Sequence, residues 1–291
     1  RFIFAITGSS ARKLKRGASN HLAGRAFIYS LFPLSAFELE RHFNLQQVLE
    51  FGSLPKIFAL TDANKKRYLR AYAQTYLREE VWGEQFVRNL VPFRKFLEVA
   101  AQSHGQIVNY SKIGRDVGVE HKTVENYYSI LEDTLLGFFL PAYDASVRKQ
   151  QRQAPKFYLF DNGVKRALDK TLNSPLTPHT YDYGVAFEHL VIREILTLVS
   201  YRELDYEPSY LRTESGAEID LILKRGNRPP VLIEIKSSSS VKEEDLRHLR
   251  SFVESFPGSP AYCLCQEKRR RKIGAIQVLP WQAGVTEILG K

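Results

Sequence analysis

An aspartate, Asp220, and the triplet Glu234-Ile235-Lys236 carry the side chains in this sequence best suited to chemistry. Carboxylate oxygens are what a hard cation such as Mg²⁺ prefers, and a nearby lysine can steady an attacking water or a phosphate. Both groups sit in apolar, β-branched runs, Gly216–Leu223 and Val231–Ser238. Between these runs lies Lys224-Arg225-Gly226-Asn227-Arg228-Pro229-Pro230, rich in turn formers, so the pair reads as a β-hairpin. A turn centred near Asn227 puts Asp220 opposite Glu234. Alternation then places Glu234 and Lys236 on one face and Ile233 and Ile235 on the other. An ordinary half-exposed hairpin with its charges in water has the same pattern.

A helix supplies a further acid. In the amphipathic run Val185–Leu196, Glu188 precedes Val191 and Ile192 by three and four residues and so lies on the apolar side. A carboxylate there needs a partner or a metal. Helix Glu188, then strand Asp220, then Glu-x-Lys resembles the core of the PD-(D/E)XK nucleases. The resemblance implies a restriction-endonuclease-like α/β domain. In it Glu188, Asp220 and Glu234 hold Mg²⁺ or Mn²⁺, Asp220, Glu234 and Lys236 are catalytic, and DNA is the partner.

Composition sets the bounds. The 291 residues suffice for two or three domains, and 44% hydrophobic with 25% charged residues is ordinary for a soluble globular chain. Lys and Arg number 42 against 32 Asp and Glu, a net charge of +10. That surplus favours nucleic acid or another polyanion, or is simply a solvated basic surface. No apolar run approaches the ~20 residues a membrane helix needs, and Arg1–Ile6 is too short for a signal peptide. Cys263 and Cys265, the two cysteines, read as buried and reduced, which points to the cytoplasm. The seven histidines show no metal spacing, and His189 reads as a surface residue. The chain lacks Met and starts at Arg1 inside an apolar run, so it reads as a fragment.

From the start, the pattern is strand (Phe2–Ile6), loop, helix, strand (Ala26–Tyr29), then a helix capped by Ser35 with Glu38 three residues on. The residues TGSSARKL, LAGR and LFPLSAFEL resemble the latter part of the ATPase domain in prokaryotic AAA+-type proteins with a C-terminal restriction-endonuclease-like domain. The resemblance implies nucleotide-sensing roles for Thr7, Ser9, Arg12 and Arg25, ATP in the parent protein and a homo-oligomer through that part. The chain has no Gly-x4-Gly-Lys-Ser/Thr and no acidic strand end for Mg²⁺, so alone it is not expected to hydrolyse ATP.

A long helix is expected over Asn64–Asn89, then helices marked by Phe93–Ala100, Ser111–Val117 and His121–Gly137. The last is expected to turn Val124, Tyr127, Tyr128, Leu131 and Leu135 inward. The short helix, the Gly118 turn and the longer helix match a helix-turn-helix. Its outer face would carry Glu120, His121, Lys122, Thr123, Glu125 and Asn126; Lys122 can meet phosphate, whereas the glutamates oppose it. The alternative is a winged helix used for packing between domains. Ser240 is expected to cap a helix over Val241–Phe256 that covers the sheet. The loop Lys268–Lys272 offers Arg269, Arg270 and Arg271 to a nucleic-acid backbone.

These readings give a mixed, multidomain α/β chain. Residues 1–62 are the end of a P-loop ATPase sheet, 63–152 a winged-helix-like helical domain, and 153–291 a PD-(D/E)XK-like domain. Three functions follow: an ATPase fragment that binds and cuts DNA, an inactive nuclease fold acting as a nucleotide-regulated binding module, or nucleotide-dependent oligomerisation without nucleic acid.

Overall fold

Ser35 opens α1 (Ala36–Leu39) through the expected capping box: its hydroxyl accepts from the Glu38 N–H, and the Glu38 carboxylate accepts from the Ser35 N–H. The computed structural model describes residues 27, 29–76, 89–144, 150 and 153–290. The expected strand Phe2–Ile6 lies outside them, and Phe27 and Tyr29, assigned to a strand by sequence, are exposed without regular structure. Asn44 caps α2 (Leu45–Phe51), which stops at Gly52 with φ +73°. Helix α3 (Asp62–Ala71) widens into a π-helical turn at Tyr72–Tyr76. Asn89 does not end that helix: its side chain accepts from Val91 N–H and starts α4 (Leu90–Gln102).

The expected helix-turn-helix is present. Helix α5 (Tyr110–Val117) closes on Gly118 in the left-handed conformation, and α6 (His121–Asp133) follows. A Cβ on Gly114 would stand 2.7 Å from the Val119 carbonyl, so glycine lets the two helices meet this closely. Val124, Tyr127, Tyr128 and Leu131 point inward as expected, but Leu135 is exposed with φ +60°. The chain leaves the helix there because Gly137 must enter β1 (Gly137–Leu140), which pairs antiparallel with β2 (Lys156–Leu159). A Cβ on Gly137 would come within 2.2 Å of the Phe157 ring.

Asp161 accepts from the Gly163 and Val164 N–H groups and caps α7 (Asn162–Leu168). A Cβ on Gly163 would lie 2.1 Å from the Phe51 carbonyl oxygen, so α2 and α7 touch backbone to backbone. Gly163→Ala should therefore cost about 1–3 kcal/mol, by the backbone shift it forces. Urea melts read this directly; a loss below about 0.5 kcal/mol would mean α7 yields freely.

Helix α8 (Tyr181–Tyr201) then leads to β3 (Glu207–Arg212), β4 (Glu218–Arg225) and β5 (Arg228–Ile235). After a 3₁₀ turn at Glu244–Leu246 come α9 (Arg247–Ser255), β6 (Ala261–Cys265), β7 (Arg271–Ile273), β8 (Ile276–Pro280) and α10 (Trp281–Leu289). Ser240 does not cap the helix after it: the Ser240 N–H goes back to Ser238 Oγ, and the helix begins only after the 3₁₀ turn. Among the described residues these strands form a sheet of order β3-β4-β5-β6-β8-β7. The outer pairs β3-β4, β4-β5 and β7-β8 are antiparallel; β5-β6 and β6-β8 are parallel.

Alternation along these strands buries both faces. Leu221, Leu223, Val231, Ile233 and Ile235 pack with Phe187, Leu190 and Val191 of α8 and Trp281 of α10. Ile222, Leu232 and Cys263 pack with Leu246, Leu249 and Phe252, which belong to the stretch Val241–Phe256 expected to cover the sheet. Ala36, Leu39, Val48 and Leu49 join the first of these cores, while Phe93, Phe96, Tyr127, Tyr128, Phe157 and Leu159 form a separate aromatic core. The chain is a mixed α/β protein.

Candidate functional site

The hairpin forms in the expected register. Leu221 stands opposite Ile233 and Leu223 opposite Val231, so the next position of that register sets Asp220 opposite Glu234. The turn is Gly226-Asn227, with Gly226 at φ +55°. On its other edge, β4 pairs Ile222 with Ser209 but Ile219 with Leu211. Asp220 and Leu221 thus share one position opposite Tyr210, a β-bulge that re-aims the strand. The cores record it: Ile219 and Ile222 face α9, whereas Leu221 between them faces α8. Asp220 Oδ2 accepts from Ile235 N–H at 2.7 Å, which binds the bulge to β5. Lys236 Nζ lies 2.6 Å from Glu234 Oε1, while Ile233 and Ile235 lie in the α8-side core, as alternation required.

Glu188 enters from α8. Its Oε1 accepts from the Tyr158 hydroxyl at 2.7 Å and lies 3.8 Å from Lys156 Nζ. Lys156 also donates to Glu218 Oε1, and the other Glu218 oxygen is 3.5 Å from Arg212. Lys156 and Tyr158, which the sequence does not single out, thus contact the candidate acids. Their signal is the i, i+2 spacing in Lys156-Phe157-Tyr158-Leu159. The strand is buried on both faces, with Phe157 and Leu159 toward the aromatic core and Lys156 and Tyr158 toward the acids.

The acids share one electrostatic environment. Burial, then the Asp220 charge, raises Glu188 to about 7, against the pull of Lys156 and the Tyr158 hydrogen bond. Burial and Asp220 raise Glu234 to about 8, with Lys236 opposing. Burial also raises Asp220, opposed by Lys236 and Lys156. Burial alone would lower Lys156; Glu188, Glu218 and Asp220 outweigh it and hold its pKa above the usual value. Glu234 Oε2 is buried without a hydrogen-bond partner. Among the described residues no three His, Cys, Asp or Glu side chains stand close enough together to hold one ion. The donor chemistry nonetheless fits a hard divalent cation: oxygen donors only, with an excess of carboxylates over ammonium groups and one orphaned carboxylate oxygen.

The remaining residues singled out by sequence are dispersed. Thr7, Ser9, Arg12 and Arg25 lie outside the described residues. Lys122 is exposed on α6. Arg269 is exposed in the loop after β6, where Arg270 binds Glu287, and Arg271 at the start of β7 binds Glu267, each at 2.8 Å. That loop starts beside the hairpin: the Gln266 N–H and side-chain amide donate to the Ser238 and Ser237 carbonyls just past Lys236. His189, expected at the surface, is buried, because α8 packs against α7 as well as the sheet. Its Nδ1 is 2.8 Å from Asn162 Oδ1. No helix of the described residues is long and apolar enough to cross a membrane.

Two family models match the chain, a "Domain of unknown function (DUF8612)" over residues 42–175 and a "Domain of unknown function (DUF4143)" over residues 183–283. The second spans Glu188 and the whole Asp220–Lys236 hairpin. The chain is similar to uncharacterized proteins of Mycobacterium bovis and Mycobacterium tuberculosis, 27% identical in each case across 81% of this chain and 53% of the relative. It is also similar to an uncharacterized protein of Methanocaldococcus jannaschii, 20% identical across 84% of this chain and 58% of the relative. No solved structure matches. The chain thus spans about half the length of the curated relatives it matches, and residues 183–283 match a domain family whose match contains the acid-bearing helix and hairpin.

Proposed function

We propose that this chain is part of an AAA+-type ATP-binding protein and that its PD-(D/E)XK-like portion binds a divalent cation and DNA at Glu188, Asp220, Glu234 and Lys236. The observation that carries this reading is the bulged hairpin, which aligns Asp220 with Glu234 and ties Asp220 Oδ2 to Ile235 N–H beside the Glu234–Lys236 pair. Glu188, Asp220 and Glu234 would hold Mg²⁺ or Mn²⁺, which supplies positive charge to a scissile phosphate. Lys236, with one donor on Glu234, has further N–H groups with which to orient the attacking water. The exposed Arg269 lies beyond the hairpin-linked Gln266 and suits a phosphate backbone.

A second reading has its own support: Lys156 contacts Glu188 and Lys236 contacts Glu234, so each of these acids already has a cation beside it. This suits a nuclease fold kept as a nucleotide-regulated binding module for DNA or protein. Cleavage of plasmid and single-stranded DNA with Mg²⁺ or Mn²⁺ separates the readings. The chain should nick DNA, and Asp220→Ala should lower the rate by at least about 100-fold, the scale of removing one preorganised charged group. DNA binding without metal-dependent cleavage in either protein would select the binding module.

A further inference from the structure

Lys156 stands where a cation would be drawn. Its ammonium bonds Glu218, lies 3.8 Å from Glu188 and feels the Asp220 charge, yet the residue is only 4% exposed. It comes from β2, which belongs to no part of the large sheet and is anchored by Phe157 and Leu159 in the aromatic core. The Tyr210 ring, its centroid 5.3 Å from Nζ, closes another side. Lysine has three donors and no acceptor, so in this position it takes up the carboxylate lone pairs that a hard cation would use.

We propose that Lys156 is a built-in competitor of the divalent cation: it neutralises Glu188 and Glu218 when no cation is present and must give up Glu188 for one to bind. The inference rests on the metal-binding reading above. It makes Lys156 a positioning residue acting through Glu188, and it makes cation affinity depend on where β2 sits against the sheet. A charge that neutralises the empty site also repels an arriving cation, so its removal should tighten cation binding even as it loosens the fold.

The test is Mn²⁺ binding to the metal-free chain, read from the electron paramagnetic resonance signal of free Mn²⁺, for wild type, Lys156→Met and Lys156→Arg. Lys156→Met should bind at least about tenfold tighter, since it removes a unit charge a few ångströms from the ion, while Lys156→Arg stays near wild type. A merely structural lysine would give weaker or unchanged binding when replaced by methionine. If wild type binds and folded Lys156→Met binds no tighter, the competition is overturned and the metal-binding reading survives. Absence of Mn²⁺ binding in wild type and in both variants overturns the two together. Should Lys156→Met not fold, Lys156→Met with Glu218→Gln is compared with Glu218→Gln alone: tighter binding by the double variant supports the competition, and equal binding overturns it.

Discussion

Arg193→Leu should destabilise the chain by about 3–5 kcal/mol, the scale of removing one partner from a buried ion cluster. Arg193 is 3% exposed, and its guanidinium donates to Glu194 at 2.9 Å, to Ser53 Oγ at 2.6 Å and to the Leu34 carbonyl at 3.4 Å, with Asp161 at 3.8 Å. Asp161 Oδ2 in turn accepts from Ser53 N–H, and Glu194 Oε2 accepts from Ala36 N–H. The cluster thus fastens Leu34, Ala36 and Ser53 onto α7 and α8. Burial raises the pKa of both Asp161 and Glu194, and Arg193 is the main force holding each down. Without it, both carboxyls rise further and the folded chain holds protons that the unfolded chain has released above the ordinary carboxylate range. Stability therefore falls as pH rises through that window, and the deficit of Arg193→Leu should be larger at pH 8 than at pH 5. Urea unfolding at the two pH values measures it; a loss under about 1 kcal/mol, or an equal loss at both, would show that water reaches the cluster.

The same helix carries Glu188 and, five residues on, Arg193. Anything that moves residues 34–53 pulls on the Arg193 cluster and hence on the helix that presents an acid to the hairpin. In the reading proposed above, this is the route of buried polar contacts by which an ATPase part preceding residue 34 would influence the cation site. The route is a rigid one: buried ion pairs and backbone N–H bonds link it at every step.

Short-range patterns were the legible part of this sequence. The hairpin register followed from turn chemistry and period-two alternation, and the capping box from Ser35 and Glu38, because these depend on residues a few positions apart. The bulge at Asp220 was not legible. It arises on the β3 side, where Leu211 pairs with Ile219, and nothing in Glu218–Leu223 distinguishes a bulged from a regular strand. The role of Lys156 in this cluster is not legible locally, because its partners Glu188 and Glu218 are 32 and 62 residues away, beyond any local rule. The burial of His189 is hidden from the sequence for a related reason. One amphipathic stripe suggested a helix with a wet side, whereas α8 is wedged between the sheet and α7 and buries both. Leu135 departs from the helical period because the chain turns there, a turn that only the close packing of Gly137 on Phe157 dictates.

Replacing His104 by asparagine should flatten the acid limb of the stability curve. His104 Nδ1 accepts from Leu159 N–H at 3.0 Å, which puts its proton on Nε2. Asn162 donates to the Ala186 carbonyl, so its oxygen accepts from His189 Nδ1–H. The two rings meet edge to face with centroids 4.4 Å apart, and neither Nε2 has a partner. Burial, then the His189 charge and Lys165, holds His104 well below its usual value; burial, then Arg193, lowers His189 to about 3. Both therefore stay neutral in the folded chain while the unfolded chain takes up protons below about pH 6.5. Each neutral histidine then removes about 1.4 kcal/mol of stability per pH unit as the pH falls through that range. Asparagine keeps an acceptor for the Leu159 N–H but does not titrate, at the cost of a small cavity that is independent of pH. His104→Asn should be the less stable protein at pH 7.5 and should gain on wild type by about 1.4 kcal/mol for each unit between pH 6 and pH 4.5. Urea unfolding across that range decides the matter: two parallel curves would mean that His104 takes a proton without leaving its place against His189.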